Sequence, residues 1–336
     1  MEETAQSQEA KRDLGHTHTK EENTAMMDEL KGLVKEAGLM DKIPLRGTIE
    51  VILVLSLFVV SFLSVGNTAP IVSILLFVLT IMRSTFVAHD LIHHQYYEKR
   101  DTNKKLSLVF ANLIMGISAS WWENKHNVLH HTFTNIIDKD DDIDSAGGAF
   151  IGRAEFGKFF HQNQHILFWP ILSLIYFSFW VQSVQWVIKK GKTVEAIMMA
   201  LNVLVVIYVA QTIGFWSLMA IYLLWSMWFS AVIITNHLGL EMFSEDEYKE
   251  FTWLDLQVRT SRDVRGGSFI HWLYGGLNTQ TEHHLYPKMP RFNLLKAQSI
   301  TEDFCNRNGV MFIANTPCGT YNDIYNFLKD NRPTYN

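Results

Sequence analysis

At 336 residues, with 48% hydrophobic content and a formal net charge of -5, the chain offers no basic field for nucleic acid and carries none of the motifs that read bases or phosphates. Its two cysteines, Cys305 and Cys318, are too few for a disulfide framework, lack zinc-finger spacing and read as free thiols of a reducing compartment. The average composition hides a block structure: apolar residues are gathered in long runs, and most of the charge lies in residues 1–46 and 237–336.

The N-terminal stretch "MEETAQSQEAKRDLGHTHTK" is polar and acidic, without the apolar core of a secretory signal, and is expected to stay in the cytosol. Residues 26–37 then put Leu30, Leu33, Val34 and Ala37 on one helical face. That face suits either an interfacial helix on the membrane surface or a helix docked on the cytosolic part of the protein.

A membrane helix needs about 20 mostly apolar residues to cross roughly 30 Å of hydrocarbon. Residues 48–66 and 68–88 meet that need and are joined at Gly66 and Asn67, which reads as a hairpin. Residues 106–120 are apolar but too short. Residues 166–188 are long enough, yet a span there would carry Lys189, Lys190 and Lys192 to the outer side, against the bias that keeps Lys and Arg cytosolic. They are expected to be interfacial or re-entrant. Between Ala196 and Leu240 there is no Asp, Glu, Lys or Arg, enough for a second hairpin of spans 195–213 and 215–237 that turns near Gly214. The expected fold is an all-α integral membrane protein: four transmembrane helices in two hairpins, interfacial helices, and a cytosolic helical cap from 89–165 and 238–336. A polar N-terminal region, 1–46, precedes the membrane domain, 47–336.

The 14 histidines are unevenly placed. "HDLIHH" puts His89, His93 and His94 where the second span ends, "HNVLHH" puts His126, His130 and His131 after the short apolar segment, and His237 ends the last span. His283 and His284 follow in "GGLNTQTEHHLYP". Hairpin parity places all of them on one face. Residues four apart share a helical face, so His89 with His93, His126 with His130, and Gln280 with His284 can each aim at one point. Neutral imidazole is the commonest nitrogen ligand for transition metals, and this many converging rings exceed what one ion can use. Two metal ions are implied. On an α-helix His131 would point about 140° away from His126 and so toward a different ion.

The order HDxxHH, HxxxHH, QxxHH resembles the membrane fatty acid desaturases, over roughly residues 28–310, and Gln280 in the third box resembles their front-end branch. Two features depart from that branch. The short N-terminal region holds no haem motif of a fused cytochrome b5 domain, and the second box has three residues, not two, before its HH pair. The resemblance implies a di-iron centre held by the nine box and span-end histidines, O2 as co-substrate, and electrons from a separate donor, cytochrome b5 or ferredoxin. The implied reaction places a cis double bond in an acyl chain, between an existing double bond and the carboxyl end. The acyl carrier is left open between acyl-CoA, acyl-lipid and sphingoid base, and the membrane between a bacterial inner membrane and endoplasmic reticulum. Hydroxylases and acetylenases use similar boxes and stay open as alternatives. A metal transporter would need ligands buried at mid-bilayer, whereas these sit at one end of the spans.

Around the histidines, Asp90, Glu123 and Glu282 are candidates to orient ligands, with Asn236 and Gln280 as direct or water-mediated contributors. Each carboxylate also reads as a solvated charge. Trp121, Trp122, Trp272 and Tyr274 are candidates to line an acyl tunnel, though aromatics are ordinary at a membrane interface. Arg259, Arg262 and Arg265 form a basic cluster that suits an anionic headgroup, a coenzyme A phosphate or a salt-bridged face. The acidic run from Asp138 to Asp144 resembles a family segment and otherwise reads as a solvated loop.

Overall fold

The structure is a computed structural model that describes residues 14–142 and 158–331; the end of the acidic run, at Asp144, lies outside them. Helix α1 (Lys20–Glu36) opens with a capping box, in which Thr19 Oγ1 accepts from the Glu22 N–H and the Glu22 carboxylate accepts from the Thr19 N–H. Two long hairpin helices follow, α2 (Pro44–Ser64) and α3 (Pro70–Ile92), each with proline in its first turn, where no N–H is needed. Ser61 Oγ to Thr80 Oγ1 at 2.7 Å and Ser64 Oγ to Ser73 Oγ at 2.9 Å tie the pair together, small hydroxyl residues allowing close approach in an apolar setting.

The chain then runs through α4 (Arg100–Ser107) into a π-helix, Leu108–Met115, which is the apolar segment too short to span. It packs between α3 and the later helix at Thr193–Ile213 and ends at Gly116, whose φ of +75° suits glycine. A Cβ there would also lie 2.5 Å from Asn202 Oδ1. Helix α5 (Ala119–Trp122) leads straight into a second π-helical stretch, Glu123–His130. After the undescribed residues come α6 (Lys158–Gln162) and then α7 (Gln164–Leu172) and α8 (Ile175–Lys190), two helices bent by 60° at their junction. The second hairpin is α9 (Thr193–Ile213) and α10 (Phe215–His237), turning at Gly214. Among the described residues four helices, α2, α3, α9 and α10, are long and apolar enough to cross a membrane, and the bent pair α7–α8 would make a fifth if taken as one broken span. Ile52, Leu53, Val60 and Leu63 of α2, and Ile197, Leu201, Leu204 and Ile207 of α9, lie exposed, as lipid-facing side chains do.

The remaining residues form the cap. Its helices are α11 (Glu245–Tyr248), α12 (Trp253–Thr260), α13 (Gly267–Leu273), α14 (Gln280–Leu285), α15 (Arg291–Asn308) and α16 (Pro317–Asp330), with a two-residue parallel strand pair, β1 (Asp263–Val264) and β2 (Ala314–Asn315). Leu30 and Val34 of α1 are fully buried in a cluster with Leu254 and Val258 of α12 and Leu294 and Ala297 of α15. The apolar face of α1 is thus covered by the cap and is not free to lie on lipid. The main core sits around α3, between α2, α10 and the first π-helix, and it ends directly beneath the histidines.

Candidate metal centre

Helix α3 delivers His89 in its last turn and His93 at its C-cap, four residues apart on one face. The second histidine set rides on the π-helical stretch, where the His131 N–H bonds to the His126 carbonyl in the i→i+5 pattern. This wider turn brings residues five apart together. His126 and His131 therefore meet, with their Nε2 atoms 3.3 Å apart, instead of diverging as an α-helix would require. Helix α14 presents His283 and His284 on different sides, and α10 ends at His237.

Among the described residues two adjoining all-histidine groups result, and Asp142 comes within the same reach of His126 and His130. His89, His93, His126 and His283 offer nitrogens within 4.8 Å of one another, and His130, His237 and His284 form a second set by the same measure. His131 joins the first group, its Nε2 lying 3.1 Å from His283 Nε2. His89 Nε2 is 3.0 Å from His126 Nε2 and 3.2 Å from His283 Nε2. A neutral imidazole carries one N–H, so this many Nε2 atoms cannot satisfy one another by hydrogen bonds. Metal–nitrogen bonds of about 2.1 Å put ligands at right angles about 3.0 Å apart, which matches the spacing. His93 Nε2 and His284 Nε2 are buried without a hydrogen-bond partner, the state expected of atoms reserved for a metal. Burial, reinforced by the neighbouring rings, holds His93, His126, His131, His283 and His284 well below the ordinary histidine pKa and so keeps them neutral. His130 departs from this: burial disfavours its charge, but the Asp140 and Asp142 carboxylates outweigh that and raise its pKa.

The second group is oriented from behind. His130 Nδ1 lies 3.1 Å from both Asp140 oxygens, His237 Nδ1 donates to the Thr260 carbonyl at 2.7 Å, and His284 Nδ1 donates to Gln257 Oε1 at 2.7 Å. Each contact turns Nε2 toward the centre. Asp140, Gln257 and Thr260 were not among the residues expected from the sequence. Asp140 belongs to the acidic run, of which it is a buried member, and nothing local marks Gln257, which stands 27 residues before His284.

Comparison with known proteins decides the family. The model of the family described as "Fatty acid desaturase" matches residues 67–316.

The chain belongs to the fatty acid desaturase family.

Similar desaturases include the "Delta(6)-fatty-acid desaturase fat-3" of Caenorhabditis elegans, 32% identical over 68% of this chain and 57% of the relative. The "Delta(5) fatty acid desaturase fat-4" of the same organism is 28% identical over 85% of this chain and 69% of its own length. The "Acyl-lipid (9-3)-desaturase" of Physcomitrium patens is 29% identical over 73% and 50%. The chain thus spans between half and about two thirds of these desaturases.

Among the other expected site residues, His94 stands apart from the desaturase histidine cluster. It takes a left-handed conformation (φ 55°), its Nε2 accepts from Arg100 Nε at 3.0 Å, and it faces Glu123 at 3.9 Å. Glu123 pairs with Arg100 and Lys104 and so touches no clustered ring among the described residues. Asp90 lies 3.6 Å from His89 Nδ1 and is clamped by the Tyr96 hydroxyl and Arg291. Glu282 is buried on the far side of α14 beside Asp263; burial first, then that neighbour, raises its pKa well above the carboxylate range. Gln280 Nε2 is 2.9 Å from His237 Nε2, and Gln280 Oε1 accepts from Asn236 Nδ2 at 3.0 Å, so both amides border the second group.

An apolar cavity reaches the histidines, lined by Trp122, Phe168, Phe179, Phe229, Ile233 and Leu277, with His89, His126, His130 and His237 in its wall. Of the four aromatics expected there, Trp122 is the one in the wall. Trp121 packs on Phe179, Trp272 is half exposed beside Arg83, and Tyr274 is buried near Tyr321. The arginines do not form one patch: Arg259 makes a bidentate pair with Glu241, Arg265 pairs with Glu302, and Arg262 donates to the Leu238 carbonyl.

Gln257→Leu is expected to release metal about 10–100-fold more readily, because His284 loses the acceptor that fixes its ring. Metal content measured against graded chelator, with helicity as the folding check, tests this; unaltered retention would remove Gln257 from the site.

Proposed function

We propose that this protein is an O2-dependent acyl desaturase with a histidine-held di-iron centre, acting between an existing double bond and the carboxyl end. The observation that carries the reading is the pair of imidazole groups set in the wall of an apolar cavity. The names of the similar proteins support it. His89, His93, His126, His131 and His283 would hold one iron, and His130, His237 and His284 the other, with Gln280 and Asn236 beside the second.

An unactivated methylene has no acidic proton and no leaving group, so side-chain acid–base chemistry cannot open it; the bound irons supply O2-derived oxidising power for that step. The balance is one CH2–CH2 unit, O2, two electrons and two protons, giving CH=CH and two waters. The chain's own contribution is placement. Phe179, Phe229 and Ile233 hold the acyl chain along the cavity, and Trp122 sets it against His89 and His126. The same apolar walls exclude water from the reacting carbons. Asp140, Thr260 and Gln257 keep the ring protons on Nδ1. The electrons come from a separate donor, cytochrome b5 or ferredoxin. Both hairpins return to the end that carries the histidines, which is read as cytosolic from the Lys189–Lys192 segment next to α9.

The test is expression in a host that supplies iron and a desaturase electron chain, feeding of polyunsaturated fatty acids, and location of double bonds by mass spectrometry. A new double bond on the carboxyl side of an existing one is expected. A hydroxylated product would move the reaction class, and purified protein holding only zinc would defeat the oxygenase reading.

A further inference from the structure

A second cavity lies away from the histidine wall, between the start of α2, the inner half of α3 and α13. Arg46, Arg83, Arg291, Ser268 and His271 line it, together with Glu50. Glu50 Oε2 accepts from Arg83 at 3.2 Å and from Arg291 at 2.8 Å, and Arg291 also meets Asp90 at 3.0 Å. Two carboxylates therefore face three guanidinium groups. The unmatched one is Arg46, whose guanidinium stacks 3.7 Å from the Phe292 ring centroid, the ring that Arg291 also approaches, at 4.8 Å. No carboxylate pairs with Arg46 among the described residues.

The position of this surplus charge is informative. Arg46 lies in the first turn of α2 and Arg83 six residues before His89, so the cavity sits where the spans leave the hydrocarbon. Its surroundings are apolar and open: Leu45 is 76% exposed and Phe269 68%, with Ile49 and Trp272 also exposed. Exposed aromatic and aliphatic side chains around a cluster of arginines, Arg291 buried and Arg46 exposed, suit a ligand that is anionic at one end and embedded in lipid at the other. Gly276 lines the cavity against Arg291, and a Cβ there would press within 2.8 Å of Arg291 Cβ and displace that side chain. Guanidinium groups are matched to phosphate oxygens in charge and geometry.

We propose that this cavity binds the phosphate of an anionic membrane phospholipid, with Arg46 supplying the charge that no carboxylate among the described residues neutralises. The site is separate from the acyl cavity and does not depend on the reaction assigned there.

The experiment is thermal unfolding of the detergent-purified full chain, titrated with dioctanoyl phosphatidylglycerol, dioctanoyl phosphatidylcholine or inorganic phosphate, for the native protein, Arg46→Gln and Arg307→Gln. Arg46 is exposed, so its variant should fold. Stabilisation by phosphatidylglycerol alone is expected, unchanged in Arg307→Gln and needing about fivefold more lipid or more in Arg46→Gln. Equal stabilisation by inorganic phosphate would make this a free-anion site and overturn the lipid assignment. Equal stabilisation by phosphatidylcholine, no stabilisation, or no effect of Arg46→Gln would each overturn it as well.

Discussion

His284→Ala is expected to empty the metal position shared by His130, His237 and His284 and to lower desaturation at least about 100-fold, since even residues behind a ligand shift metal affinity 10–100-fold. The native chain should hold two ions and the variant about one. His94→Ala, by contrast, should keep its full metal content, because His94 bonds to Arg100 outside the cluster although it completes the first HH pair. His131→Ala should behave like His284→Ala, from the other group, because His131 Nε2 lies among the Nε2 atoms of His126 and His283. Metal analysis of the three purified variants, paired with product analysis in cells, checks the set. Metal loss from His94→Ala with full retention in His131→Ala would mean that the π-helical turn assigns the rings wrongly.

The second large effect concerns Arg291. Its side chain is 4% exposed in the pair with Asp90, and Asp90, fully buried, stands next to His89. Removing one member of a buried ion pair leaves an uncompensated charge and costs about 3–5 kcal/mol. Arg291→Leu should therefore unfold at markedly lower temperature and lose metal from the His89 group. Adding Asp90→Asn should restore much of the thermal stability, because the orphaned charge is gone, while metal retention stays impaired where His89 has lost its neighbour. Melting curves without added lipid, alongside metal content, test the pair. A single variant as stable as the native chain would show that the pair does not hold the site.

Much of this protein is legible in its sequence because the membrane makes the rules local. A span must be a continuous apolar run, so α2, α3, α9 and α10 fall within a few residues of the expected limits. The histidine boxes are legible for a similar reason: ligand chemistry resides in residue identity, and hairpin parity alone collects the boxes at one end. Grouping the rings was beyond the sequence. Whether His131 shares a metal with His126 depends on an i→i+5 turn that no spacing rule announces, and one left-handed residue turns His94 away from the clustered rings toward Arg100.

The same division separates the supporting residues. Gln257 and Asp140 reach the imidazoles through packing between distant segments, and Glu282, adjacent to two clustered rings in sequence, faces away because α14 turns it toward Asp263. Arg259 and Arg265 are close in sequence yet pair with separate carboxylates, whereas Arg46, Arg83 and Arg291 converge from three helices. The face of α1 was ambiguous for a physical reason: an apolar stripe says that a helix must be covered, and only the packing of α12 and α15 decides what covers it. The sequence by itself determined the apolar runs long enough to span, the histidine boxes and the family; the tertiary structure decided which groups meet, because side-chain direction and long-range contact are set by helix geometry and packing rather than by residue order.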